Sequence, residues 1–130
     1  MKKLSFPKAK RIVTNSQFRA VLAKRLRASD ELLTVYMAEN DCGYPRLGVS
    51  IGKTIKSAVL RNRLKRLIRE TFRQNQHNIP DKFDYLVMMS AVFISVVKDT
   101  GPKEGVKKLN AQQVETSLLG LIARIGQSNK

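Results

Sequence analysis

Arginines at positions 61, 63, 66, 69 and 73, with Lys65 between them, crowd a stretch whose one acid is Glu70. A guanidinium is a planar fork that grips phosphate through paired hydrogen bonds, which a lysine ammonium cannot do. On a helix the pairs Arg61/Lys65, Lys65/Arg69 and Arg69/Arg73 repel at i, i+4, each costing a few tenths of a kcal/mol. Arg61 and Arg63 near the N-terminal end also oppose the helix macrodipole. A helix built only for stability would place glutamates among them. The chemistry this pattern favours is capture of a polyanion. A solvated basic face is the plainer alternative. A membrane-surface helix fits less well, because the apolar side is wanted by the core and carries no tryptophan.

Catalytic chemistry is harder to find. A protein nuclease needs clustered carboxylates to hold two metal ions, or general acid–base groups such as a histidine pair. The acids are scattered as Asp30-Glu31, Glu39, Asp41, Glu70, Asp81, Asp84, Asp99, Glu104 and Glu115, without H-x-E or D-x-D spacing. His77 is the only histidine and falls in a polar stretch. No glycine-rich loop ending in Lys-Ser/Thr marks a nucleotide site. Neither catalytic nor metal-ligating residues are therefore assigned. Cys42, the only cysteine, excludes an internal disulfide and is expected to be an inert thiol, in keeping with a reducing cytoplasm.

The 130 residues, 42% of them hydrophobic, suit a single domain with one core. Twenty-five Lys and Arg against ten Asp and Glu leave a formal charge of +15, an excess that points to a polyanionic partner. No apolar run reaches the roughly 18 residues of a membrane span, and the basic start MKKLSFPKAKR lacks the apolar stretch of a secretory signal. No membrane partner and no small-molecule substrate are expected.

The elements that must carry the arginines follow from periodicity. Residues 1–13 read as a basic arm, and Thr14 or Asn15 can cap a helix with Phe18, Val21 and Leu22 at helical spacing. Leu33, Val35 and Met37 alternate with Leu32, Thr34 and Tyr36 beyond a turn at Ser29-Asp30. In RLGVSIG, Leu47, Val49 and Ile51 share one face, and Arg46, Gly48 and Ser50 the other, where small residues leave a shallow open surface. A long helix should run from Thr54 or Ser57 to Gln76, burying Leu60, Leu64, Leu67, Ile68, Thr71 and Phe72. Arg61, Asn62, Lys65, Arg66, Arg69 and Arg73 cover its other side, and Arg63 flanks the apolar stripe. FDYLVMMS reads as a central strand, with the apolar run through residue 97 taken as buried strand, and residues 98–110 as loop. Asn110 and Gln113 form a capping-box pattern ahead of a stripe of Val114, Leu118, Leu121, Ile122 and Ile125 that Gly126 should stop. The order helix, strands, helix, strand, helix argues for an α+β sandwich: a mixed sheet of about four strands with three helices.

The string KTIKSAVLRNRLKRLIRETF resembles the signature of the bacterial ribonuclease P protein subunit, an Arg-Asn-Arg core in a helix that follows a Gly-x-Ser strand. FRAVL, LLTVYMA, RLGVSIGK and FDYLVMM match as well, so the resemblance covers roughly residues 10–90. It implies a single RNA-binding domain with a ribosomal-protein-like fold, a central cleft, and the basic helix in a left-handed βαβ crossover. It also implies a partnership with a catalytic RNA that removes the 5′ leader of precursor tRNA. Magnesium would then sit at the RNA active site, with no cofactor held by the protein.

Carried over residue by residue, the resemblance assigns Arg61, Asn62, Arg63, Lys65, Arg66 and Arg69 to the catalytic RNA. It assigns Phe18, Tyr36, Arg46, Ser50 and Lys53 to a leader-binding cleft, with the aromatics stacking on unpaired bases. The chain departs from the family pattern at Leu22, where an aromatic is common, at Thr54, where a second basic residue is common, and at Ser90, where an arginine is common. A general RNA-binding or ribosome-associated protein is the alternative function.

Overall fold

A computed structural model of the chain describes residues 15–23, 26–40, 44–52, 55–100 and 109–128. The basic arm, Cys42, Lys53 and Thr54 lie outside these residues, as does the stretch 101–108. The elements run α1 (Asn15–Ala23), β1 (Leu26–Ser29), β2 (Leu33–Glu39), β3 (Arg46–Ser50), α2 (Ala58–Asn75), β4 (Phe83–Met89), α3 (Ala91–Thr100) and α4 (Ala111–Ser128).

The strands form one sheet in the order β1-β2-β4-β3, antiparallel except for the β3–β4 pair. Two parallel neighbours need a long crossover, and α2 supplies it, so the basic helix is the helix of a βαβ unit. β4 lies between β2 and β3, which accounts for its apolar character on both faces.

Alternation sorts the strands into two faces. Leu33, Val35, Met37, Leu47, Tyr85, Val87 and Met89 join a core closed by Leu64, Ile68 and Phe72 of α2 and by Val114, Leu118, Leu121, Ile122 and Ile125 of α4. Phe72 meets Tyr85 edge to face with ring centroids 5.5 Å apart, and the Tyr85 hydroxyl donates to the Pro80 carbonyl at 2.6 Å. Burial, and then the nearby Asp81 carboxylate, push that phenol well above its ordinary titration range. The second face carries a smaller cluster, in which Val21 of α1 packs with Ala38 and Leu86 beside Tyr36 and Met88.

Local signals act as their chemistry dictates. The Asp30 carboxylate accepts from the backbone N–H groups of Leu32 (2.8 Å) and Leu33 (2.9 Å), closing the β1–β2 turn, and Ser117 Oγ donates to its other oxygen at 2.6 Å. Asn110 and Gln113 exchange both capping-box bonds, at 3.0 and 2.9 Å.

Three expectations are corrected. The apolar run after Met89 is a helix, not strand, which brings the described helices to four. Ser90 explains the switch: its Oγ accepts from Phe93 N–H at 3.1 Å and its carbonyl from Ile94 N–H at 3.1 Å, capping α3. Phe93 and Val97, one turn apart, then face the core. α3 reaches Thr100, so residues 98–100, expected as the start of a loop, are helical. Gly126 does not stop α4, which continues to Ser128.

Candidate nucleic-acid interface

α2 starts at Ser57, whose Oγ accepts from Leu60 N–H at 3.3 Å. Leu64, Ile68, Thr71 and Phe72 are buried beneath it, with Leu60 and Leu67 half-buried at the edges. The sequence wheel thus holds, and the helix is anchored by one stripe. On the other side Asn62, Arg63 and Arg66 are exposed, while Arg61, Lys65 and Arg69 are half-buried. Among the described residues, Asn62, Arg63, Lys65 and Arg66 have no hydrogen bond or ion pair within the protein. Arg73 is different: it pairs with Glu70 at 2.8 Å, which holds the Glu70 carboxyl below its ordinary range.

Arg61 has a role that spacing could not reveal. Its Nη1 folds back to donate to the carbonyls of Ile55 (2.6 Å) and Lys56 (3.0 Å). It therefore fixes the segment entering the helix.

Of the residues assigned to a leader cleft, Tyr36, Arg46 and Ser50 lie on the opposite face of the sheet. Register puts Arg27, Tyr36, Leu86 and Gly48 in one cross-strand row, and Ser29, Thr34, Met88 and Ser50 in the next. Tyr36 is half-buried, with its hydroxyl 3.4 Å from Arg27 Nη1, and Ser50 is exposed. Arg46 shares this face, but Asp84 holds it through two bonds of 2.6 Å, and Asn40 Nδ2 reaches the same carboxylate at 2.8 Å. Its charge is compensated within the protein. Phe18 lies in α1, one turn before Val21, and its side chain is outside the described part, as is Lys53.

Sequence reasoning missed Asp84 and Arg27 as parts of this face. A signal for Asp84 existed: an acid inside an apolar strand demands a cationic partner. Among the described residues no three His, Cys, Asp or Glu side chains gather as a metal site, and no helix is long and apolar enough to cross a membrane.

A family model described as Ribonuclease P matches residues 6–126. The chain belongs to the ribonuclease P protein family. It is 36% identical to the ribonuclease P protein component of Proteus mirabilis over 125 residues, 95% of this chain and 92% of that protein. It is 42% identical to the one from Photorhabdus laumondii over 90 residues, 68% of this chain and 75% of its relative. The ribonuclease P protein of Thermotoga maritima superposes with a TM-score of 0.73 at 27% identity, covering 88% of this chain and 96% of that one. Ribonuclease P proteins are components of the ribonuclease P enzyme, so the arginine helix and the opposite sheet face belong to a tRNA-processing protein whose family implies an RNA partner.

Proposed function

We propose that this chain is the RNA-binding subunit of ribonuclease P, gripping the catalytic RNA with α2 and the 5′ leader of precursor tRNA with the far face of its sheet. The observation that carries this reading is the division of α2. Leu64, Ile68 and Phe72 are wholly buried, while Arg63 and Arg66 stand exposed with no internal partner among the described residues. Unpaired cations on a rigid helix match a phosphate backbone at no cost in broken ion pairs. Arg61, Asn62, Lys65 and Arg69 extend the same surface.

The leader surface is the pair of neighbouring rows that hold Tyr36 and Gly48 in one and Ser50 in the other; Phe18 and Lys53 are assigned to it by the family resemblance. Tyr36 offers a ring for an unpaired base, an interaction worth ~1–3 kcal/mol where stacking is full. Arg46 contributes mainly by fixing β3 to β4 through Asp84. The two surfaces lie on opposite sides of the sheet, so one RNA segment need not compete with the other. Phosphodiester hydrolysis falls to the RNA, with magnesium held by RNA phosphates, since the protein's acids are dispersed along the chain.

The test is cleavage of precursor tRNA by a bacterial catalytic RNA at low magnesium, with and without this protein. A rise in cleavage on adding the protein, with no cleavage by the protein alone, supports the reading. Equal binding to unrelated structured RNAs with no effect on leader removal would replace it with general RNA binding.

A further inference from the structure

Beside the exposed arginines, α2 and the residue leading into α4 enclose a hollow of about 240 Å³ lined by Arg63, Arg66, Leu67, Glu70 and Leu109. We infer that this hollow receives a single unpaired nucleobase of the catalytic RNA, one that donates an N–H to Glu70. The inference rests on α2 being the face that meets that RNA.

Its lining is divided in the way a nucleotide is divided. Leu67 and Leu109 are half-buried against the core and offer an apolar floor for a ring. Arg63 and Arg66 are exposed at the rim, one turn of helix in extent, where the phosphates on either side of an extruded base would lie. Glu70 is the single acid on this helix, an odd residue to aim at a phosphate backbone. Arg73 engages its carboxylate at 2.8 and 3.3 Å, which fixes the group and leaves lone pairs to accept from a base N–H. A hollow this small falls below the ~300–1,000 Å³ typical of drug-sized ligands, which suits one ring system rather than a run of bases. Adenine and cytosine can donate to Glu70 from the amino group, guanine from its amino group and N1–H, and uracil from N3–H.

The experiment places a photo-cross-linking amino acid at position 109 of the full chain and assembles it with a bacterial catalytic RNA. One dominant cross-link to a single unpaired nucleotide is expected. Removing that base should weaken binding of the wild-type chain about tenfold. The loss should be much smaller in Leu109→Ala, which has already lost the floor. Replacing the base by unsubstituted purine, which as a nucleoside presents no N–H, should weaken the wild type and leave Glu70→Gln, a change at an exposed side chain, nearly indifferent. Leu109→Met should bind as the wild type does. Cross-links scattered over paired nucleotides would overturn the inference, as would equal losses in wild type and Leu109→Ala. Were no complex to form at all, the reading of α2 itself would fail, and Arg63→Ala/Arg66→Ala would then bind no worse than the wild type.

Discussion

Asp84→Ala is the sharpest perturbation of the sheet face that carries Tyr36 and Arg46. The Arg46 and Asp84 side chains are only 20% and 9% exposed and are joined by two bonds of 2.6 Å. Removing the carboxylate strands a largely desolvated guanidinium and leaves Asn40 Nδ2 without its 2.8 Å acceptor. Breaking a buried pair from one side costs ~3–5 kcal/mol, and the partial exposure of Arg46 argues for the low end, about 3 kcal/mol. For a domain of this size that is a fall in Tm of roughly 10–15 °C. The assay is a double-mutant cycle by thermal or urea unfolding with Arg46→Ala, Asp84→Ala and both together. The double variant should be much less unstable than the sum of the single ones. Additive losses, or a cost under about 1 kcal/mol for Asp84→Ala, would refute the claim that Arg46 is held as a structural charge.

Asp30 supplies a pH test: burial pushes its carboxyl up, but the bonds from Ser117, Leu33 and Leu32 and the nearby Arg124 outweigh this and hold it below its ordinary value of 3.8. A carboxyl lowered on folding stabilises above its unfolded value and loses that contribution as pH falls through the folded one. The wild type should therefore lose stability below about pH 4, and Asp30→Asn, less stable at pH 7, should show a shallower acid-side decline in urea melts. Ser90→Ala removes the α3 cap and should cost ~1 kcal/mol in the same melts. Tyr36→Ala should weaken binding of precursor tRNA with a leader of several nucleotides about tenfold. Mature tRNA should be unaffected, and equal losses for both would take Tyr36 out of the cleft.

Much of this was readable from residue order because it is local. The α2 wheel needs only a 3.6-residue period, and the Asn110–Gln113 box and the Asp30 turn are contacts over two or three residues. α3 was misread because Val92, Ile94, Val96 and Val97 favour strands, and the deciding residue was the cap at Ser90. The Arg46–Asp84 pair spans 38 residues and depends on the parallel register of β3 on β4, which no single-strand pattern encodes. Arg61 was counted among the outward cations. Its bonds to Ile55 and Lys56 depend on the path of the segment entering α2.

The central claim is that exposed, unpartnered arginines on α2 grip the RNA. Binding of the wild type and of Arg63→Ala/Arg66→Ala to a bacterial catalytic RNA, titrated with salt, tests it most directly. The account predicts weaker binding by the variant, a log K against log salt slope shallower by about 1.5–2 for the two lost phosphate contacts, and an unchanged Tm. Wild-type affinity and slope in the variant would contradict it.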